Sequence, residues 1–196
     1  LDGCRCIQSR NRRVSHLSLG DQSLAIYIDG SCLENQNVTD KTPAAWGMVI
    51  VTGDNGLGKG SGEIVEEMWG MVTCDSDNQE YIGAEVGSNN TAELTAFAMA
   101  LRWLLIEGSG QNAIIYTDSQ YAGNLATGNW RAKANKALVK SVQDLWRETS
   151  RLRNLTWNHV RAHRGHRWNE RADHLANRCV SNQQPVPLTF WKPGQR

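Results

Sequence analysis

The sequence predicts an α/β protein, and three observations carry that expectation. Two short apolar runs, LAIYIDGS at 24–31 and AIIYTDS at 113–119, read as strands apolar on both faces, and so as central ones. Between them, NNTAELTAFAMALRWLLIE at 89–107 sets Leu94, Phe97, Leu101 and Leu104 on one face of a helix. The chain has 196 residues, 40% of them apolar and 21% charged, enough for one domain with a proper core.

The two strands end alike. Asp29 follows the first apolar run and is expected where that strand stops; Asp118 closes the second. A carboxylate at the end of a buried strand is costly unless something cationic meets it. Gly30 then lets the backbone of the turn approach a ligand closely. Asp-Gly alone is most often just a turn. The second copy points to one shared site at one edge of a sheet.

In chain order, residues 1–21 form a polar, basic arm with Arg10, Arg12 and Arg13, expected to be flexible. It lacks an initiator Met and an apolar core segment, so it does not read as a signal peptide and fits a piece of a longer chain. Cys4 and Cys6 are closely spaced and no second Cys pair follows, which argues against a metal site. Five scattered Cys favour reduced thiols and an intracellular setting. No apolar run reaches membrane-spanning length.

A single folded domain is expected over 22–182. After a polar loop, Ala45–Val51 reads as the second strand, and glycines at 53, 56, 58, 60 and 62 mark turns. Met68–Cys74 and Tyr81–Val86 both look strand-like, which predicts a meander; the acidic insert around Asp75, Asp77 and Glu80 suggests no role. Asn90 is a good N-cap for the long helix, with Glu93 at the capping-box position, a structural role that rivals any chemical one. Beyond Asp118, a short helix over Ser119–Ala126 leads to a turn carrying Trp130. A basic helix over Asn135–Arg151 follows, with Leu138, Val142, Leu145 and Trp146 inward. Leu155–Arg161 alternates as a strand. A Gly-containing loop with His163 enters a last helix with Ala172, Ala176, Cys179 and Val180 inward. Residues 183–196 form a Pro-containing tail.

The formal net charge of +1 hides an asymmetry. Residues up to Asp118 hold 7 Lys+Arg and 16 Asp+Glu; those from Ser119 onward hold 14 and 4. In the basic half, Lys133, Lys136, Lys140, Arg147, Arg161 and Arg164 are interleaved with Trp130, Trp146, Trp157 and Trp168. That composition suits a polyanion with stackable faces, and equally suits solvated helix faces and core tryptophans.

Four motifs now stand in order: IDGS at 28–31, NNTAEL at 89–94, YTDSQY at 116–121 and HRGHRWNERADHLA at 163–176. Together they resemble the signature of type I ribonuclease H, over about 24–180. The resemblance implies a ribonuclease H-like fold, a five-stranded mixed sheet with its first three strands antiparallel and helices on both faces. It implies an endonuclease that hydrolyses the RNA strand of RNA/DNA hybrids, leaving 5′-phosphate and 3′-hydroxyl ends. Catalytic carboxylates would fall on Asp29, Glu93, Asp118 and Asp173, and a mobile catalytic histidine on His163. Substrate contacts would fall on Asn89, Asn90 and Gln120 and on the backbone near Gly30 and Ser31, with Trp130 added from its basic surroundings. An oxygen-only ligand set favours two Mg²⁺ ions, with Mn²⁺ able to substitute.

This chain also departs from the pattern. The stretch from Asp118 to Asp144 is compact where relatives carry a long basic handle; Lys133, Lys136, Lys140 and Trp130 replace it in part. Ala162 stands where Gly is common, and the segment 53–86 is longer than in compact members. Two settings fit, a free-standing monomeric enzyme and the ribonuclease H domain of a retroelement reverse transcriptase. Rival roles are a catalytically silent nucleic-acid-binding module, disfavoured by the intact carboxylates, and a DNA integrase, disfavoured by the motif set. Asp173 could instead pair with Arg171 or Arg178 on the surface. Zinc at His159, His163 and His166 is disfavoured because Gly165 interrupts any common helix.

Overall fold

The computed structural model describes residues 23–161 and 164–195. The basic arm expected at 1–21 and the loop residue His163 lie outside the described residues. Five strands, β1 (Leu24–Cys32), β2 (Ala44–Thr52), β3 (Glu63–Met71), β4 (Ala113–Thr117) and β5 (Leu155–His159), form one sheet in the order β3-β2-β1-β4-β5. The first three are antiparallel; β4 runs parallel to both β1 and β5. Helices α1 (Asn89–Ile106), α2 (Gln120–Ala126) and α3 (Lys136–Leu152) share one side, while α4 (Arg167–Val180) packs on β1, β2 and β3 from the other. The expected five-stranded mixed sheet with helices on both faces is the one formed.

Each central strand feeds two cores. On β1, Leu24, Ile26 and Ile28 face α1 and α3, and Ala25 and Tyr27 face α4. This explains why β1 reads as a continuous apolar run instead of an alternating one. α1 is buried along most of its length, so its apolar residues exceed a single stripe. α3 is amphipathic, with Leu138, Val139 and Val142 buried and its basic residues outward. Leu145 and Trp146 pack only partly into the core.

Several element boundaries differ from expectation. Asn90 does not cap α1: Ser88 does, its hydroxyl accepting from Thr91 N–H at 3.1 Å while the Thr91 hydroxyl accepts from Ser88 N–H at 2.8 Å. Thr91 thus takes the capping-box position and relieves Glu93 of it. β3 begins at Glu63, earlier than Met68, and Tyr81–Val86 is not a strand. The acidic insert folds into local side-chain turns, with Asp75 accepting from Asp77 N–H and Asn78 from Glu80 N–H. β5 stops at His159, short of Arg161. On α4, Trp168 and Leu175 are buried, while Cys179 is only half-buried.

The glycine-rich hairpin between β2 and β3 has a structural task. Asp54 accepts from the buried Tyr27 hydroxyl at 2.5 Å and from Ser61, which pins the hairpin to β1. The hairpin then holds the start of α4: Gly58 O accepts from Arg167 N–H at 2.9 Å, and Ser61 O from the Trp168 indole at 2.9 Å.

The outer face of α4 is covered by the C-terminal residues. Arg171, only 2% exposed, donates twice to Glu67 of β3, at 2.7 and 2.9 Å, and once to Val186 O at 2.8 Å. Trp191 is buried beneath the guanidinium groups of Arg167 and Arg171. His174 is fully buried; its Nδ1 donates to Gln195 O at 2.8 Å and its Nε2 accepts from Val186 N–H at 3.0 Å. The expected tail is therefore packed onto the helix. A buried bidentate pair is costly to break one side at a time, because the partner charge is left without compensation. Arg171→Ala is expected to destabilise the protein by about 3 kcal/mol, measured by urea unfolding.

Candidate active site

The site begins at a fork in the sheet. β1 pairs with β4 only from Leu24 to Tyr27, yet β1 continues along β2 as far as Cys32. Asp29 is thus inside a strand, correcting the expectation that the strand stops there; only its β4 side ends. Beyond the stacked Tyr27 and Tyr116 rings the two parallel strands part, and Asp29 and Asp118 stand on either side. In open α/β sheets such a crevice, at the carboxyl ends of strands where chain order reverses, is where ligands bind.

Two glycines bring the helices close enough to join this fork. A Cβ on Gly30 would lie 2.5 Å from the backbone N of Glu93 and 2.7 Å from the carbonyl carbon of Ala92. A Cβ on Gly47, the partner of Asp29 across β1 and β2, would lie 2.5 Å from Ala172 O and 2.7 Å from Ala176 N. Without those side chains, α1 sets Glu93 beside Asp29, and α4 sits with its backbone on β2 around Asp173.

The carboxylate oxygens that converge belong to Asp29, Glu93 and Asp118; one from each lies within 4.8 Å of the other two. Asp29 is 5% exposed, and its Oδ1 accepts from Gly30 N–H at 2.7 Å. Burial drives its carboxyl well above the ordinary carboxylate range, and the charges of Glu93, Asp118 and Asp173 push it further. Glu93 is raised by burial and by Asp118, and its Oε2 is buried with no hydrogen-bond partner among the described residues. A buried carboxylate oxygen without a donor, inside a set of oxygen-only ligands, fits a hard divalent cation. Asp173 is farther out but close enough for its charge to raise both. It does not pair with Arg171, whose guanidinium goes to Glu67. Its Oδ1 accepts from Asn177 Nδ2 at 2.6 Å instead.

The remaining expected residues fall around this centre. Asn89 and Asn90 are exposed at the first turn of α1, and Gln120 is exposed at the start of α2. Ser31 is buried, its hydroxyl donating to Asn177 Oδ1 at 3.0 Å. Trp130 stands apart, 47% exposed, beside an open recess of about 600 Å³ walled by Arg131, Lys136 and Lys140. Lys140 is already paired with Asp144 at 2.8 Å. His159 is within 3.1 Å of Asp118 O, and the His166 ring lies against Gly58. Sequence reasoning missed Asn177 and Gly47. The one signal for Asn177 is its place one helical turn after Asp173.

Comparison with known proteins agrees with this geometry. The RNase H family profile matches residues 21–181. A ribonuclease H of Anaplasma marginale is 34% identical over 181 residues, covering 86% of this chain and 97% of the relative. One from Cupriavidus pinatubonensis is 35% identical over 172 residues, covering 82% and 97%. The crystal structure of RNase H1 from Halobacterium salinarum superposes with a TM-score of 0.58 at 26% identity, covering 82% of this chain and 98% of that one. The chain belongs to the RNase H family, as a type I member of the ribonuclease H-like superfamily, and is a hydrolase of that class. Among the described residues, no helix is long and apolar enough to cross a membrane.

The raised carboxyls give a signed pH dependence. A carboxyl whose folded pKa lies above its unfolded value binds more protons when folded, so it costs stability as pH rises from the unfolded value through the folded one. In EDTA, Asp29→Asn is therefore expected to raise stability at pH 8 by more than the ~0.5 kcal/mol typical of a neutral surface change, and by less at pH 5. Urea unfolding at both values measures it.

Proposed function

We propose that this chain is an endonuclease that hydrolyses the RNA strand of RNA/DNA hybrids, leaving 5′-phosphate and 3′-hydroxyl ends. The observation that carries the reading is the convergence of Asp29, Glu93 and Asp118 at the fork, with Asp173 beside them, in a member of the RNase H family. These four would hold two divalent cations, Mg²⁺ with Mn²⁺ able to substitute. Bound there, such ions supply Lewis acidity for attack by water and for departure of the 3′ oxygen.

The protein's own groups do the rest. Ionised carboxylates crowded this closely repel one another, so the site is poised to take up positive charge. Asn89, Asn90, Gln120 and the backbone at Gly30 offer hydrogen-bonding groups suited to a minor groove, where the 2′-hydroxyl distinguishes RNA from DNA. The backbone near Ser31 belongs with these contacts, while the Ser31 hydroxyl donates to Asn177. His163 is proposed to move a proton at the reacting phosphate. Trp130, with Lys136 beside it, offers a stacking and phosphate-binding surface for the strand that is not cut.

The test is cleavage of a labelled RNA strand annealed to DNA in Mg²⁺, Mn²⁺ and EDTA, with all-RNA and all-DNA duplexes as controls. Cutting of RNA only in the hybrid and only with metal is expected, and Asp118→Asn should lower it by several orders of magnitude. Hybrid binding without cutting in either metal would overturn the reading in favour of a binding module. Trp130→Ala is expected to weaken hybrid binding by about 1–3 kcal/mol with little change in cleavage at saturating hybrid, measured by fluorescence anisotropy in Ca²⁺ and by turnover in Mg²⁺.

A further inference from the structure

We propose that Asn177 is a positioning residue for Asp173, and that Ser31 locks Asn177 in place. The inference rests on the reading of Asp173 as a cation ligand. Asn177 lies one turn beyond Asp173 on α4, and its Nδ2 donates to both the carbonyl of Asp173, at 2.9 Å, and its Oδ1, at 2.6 Å. Its Oδ1 accepts from the Ser31 hydroxyl at 3.0 Å. The amide can face only one way. Turned over, it would set its oxygen against a carbonyl and a carboxylate, two acceptors with no proton to give. Three groups on two elements, β1 and α4, thus form one directed chain of hydrogen bonds that ends on the carboxylate.

The chemistry of the site gives this chain its purpose. Asp173 faces repulsion from the buried carboxylates of the fork, and its charge contributes to raising Asp29 and Glu93. A short acidic side chain on a half-exposed helix face would relieve that repulsion by swinging toward water. A donor on one oxygen opposes the swing. The donor is a neutral amide, so it orients the carboxylate without cancelling its charge, whereas a guanidinium or ammonium there would compete with the cation it is meant to attract. The anchor on Ser31 also matters: it belongs to the strand that carries Asp29 and Gly30, so the fourth carboxylate is registered to the first.

The experiment uses the full chain and reads cation binding without any hybrid. Mn²⁺ titration calorimetry is run on the native protein, Asn177→Leu, Asn177→Ser, Ser31→Ala and the Ser31→Ala/Asn177→Leu double variant, with thermal unfolding in EDTA to check that each is folded. Losing an outer partner of a ligand is expected to weaken Mn²⁺ about tenfold in Asn177→Leu, less in Asn177→Ser, and less again in Ser31→Ala. The double variant should match Asn177→Leu alone, because both groups act through one hydrogen-bond chain. The Mg²⁺ concentration for half-maximal cleavage should rise in step for Asn177→Leu, with raised Mg²⁺ restoring turnover. Unchanged Mn²⁺ affinity in folded Asn177→Leu and Asn177→Ser, or full additivity in the double variant, overturns the proposal. Asp173→Asn separates the two failures: if it too leaves Mn²⁺ affinity unchanged, the assignment of Asp173 as a ligand has failed; if it lowers affinity while Asn177→Leu does not, only the positioning role has.

Discussion

Backbone lies against backbone where Gly30 meets α1 and where Gly47 meets α4. Everything chemical about the fork depends on that approach. A helix held off the sheet by side chains at these two positions would sit farther away, and a carboxylate from each layer could no longer share one small volume. Here the sheet supplies Asp29 and Asp118, one helix supplies Glu93, and the other brings Asp173 alongside. The cost is electrostatic. Like charges and burial together hold Asp29 and Glu93 partly against ionisation, and Glu93 Oε2 finds no donor among the described residues. Such a centre is a defect by the standards of folding and an asset by those of chemistry.

The supports around the fork come from parts of the chain that carry no chemistry. The hairpin after β2 is tied to the sheet through Asp54 and Tyr27, and holds the first turn of α4 through Gly58 and Ser61. The segment 53–62, long and glycine-rich in sequence, is thus part of what fixes the height of the helix bearing Asp173. Arg171 secures the other side of the same helix to β3 through Glu67.

Much of this was legible in the sequence, for local reasons. Asp29 and Asp118 could be found because each directly follows an apolar run, and β1, β4 and α1 because their cores are continuous. β3 was misjudged because its sequence, EIVEEMWGM, carries acids on both faces. Two of those acids are taken by tertiary partners: Glu66 accepts from the Trp103 indole on the α1 side and Glu67 takes Arg171 on the α4 side, partners far off in sequence. The α1 cap was misplaced by two residues because Ser88 and Asn90 are both good caps, and the choice fell to the hydroxyl of Thr91. Asn177 was invisible for a related reason. Its value depends on Ser31 reaching it across the interface of α4 with the sheet, and no spacing rule encodes that.

The packed C-terminal residues bear on how a minimal enzyme would be cut from this chain. A boundary drawn just after the last motif, near Val180, looks safe on paper. It would strip Val186 from Arg171 and His174, and Trp191 from beneath two guanidinium groups. A buried imidazole and a buried guanidinium would be opened to water on the outer face of the helix that bears Asp173. Local opening of that helix would then cost less free energy. A protease nick or a bulky fusion at the end of the chain would be felt at the fork, although neither touches it.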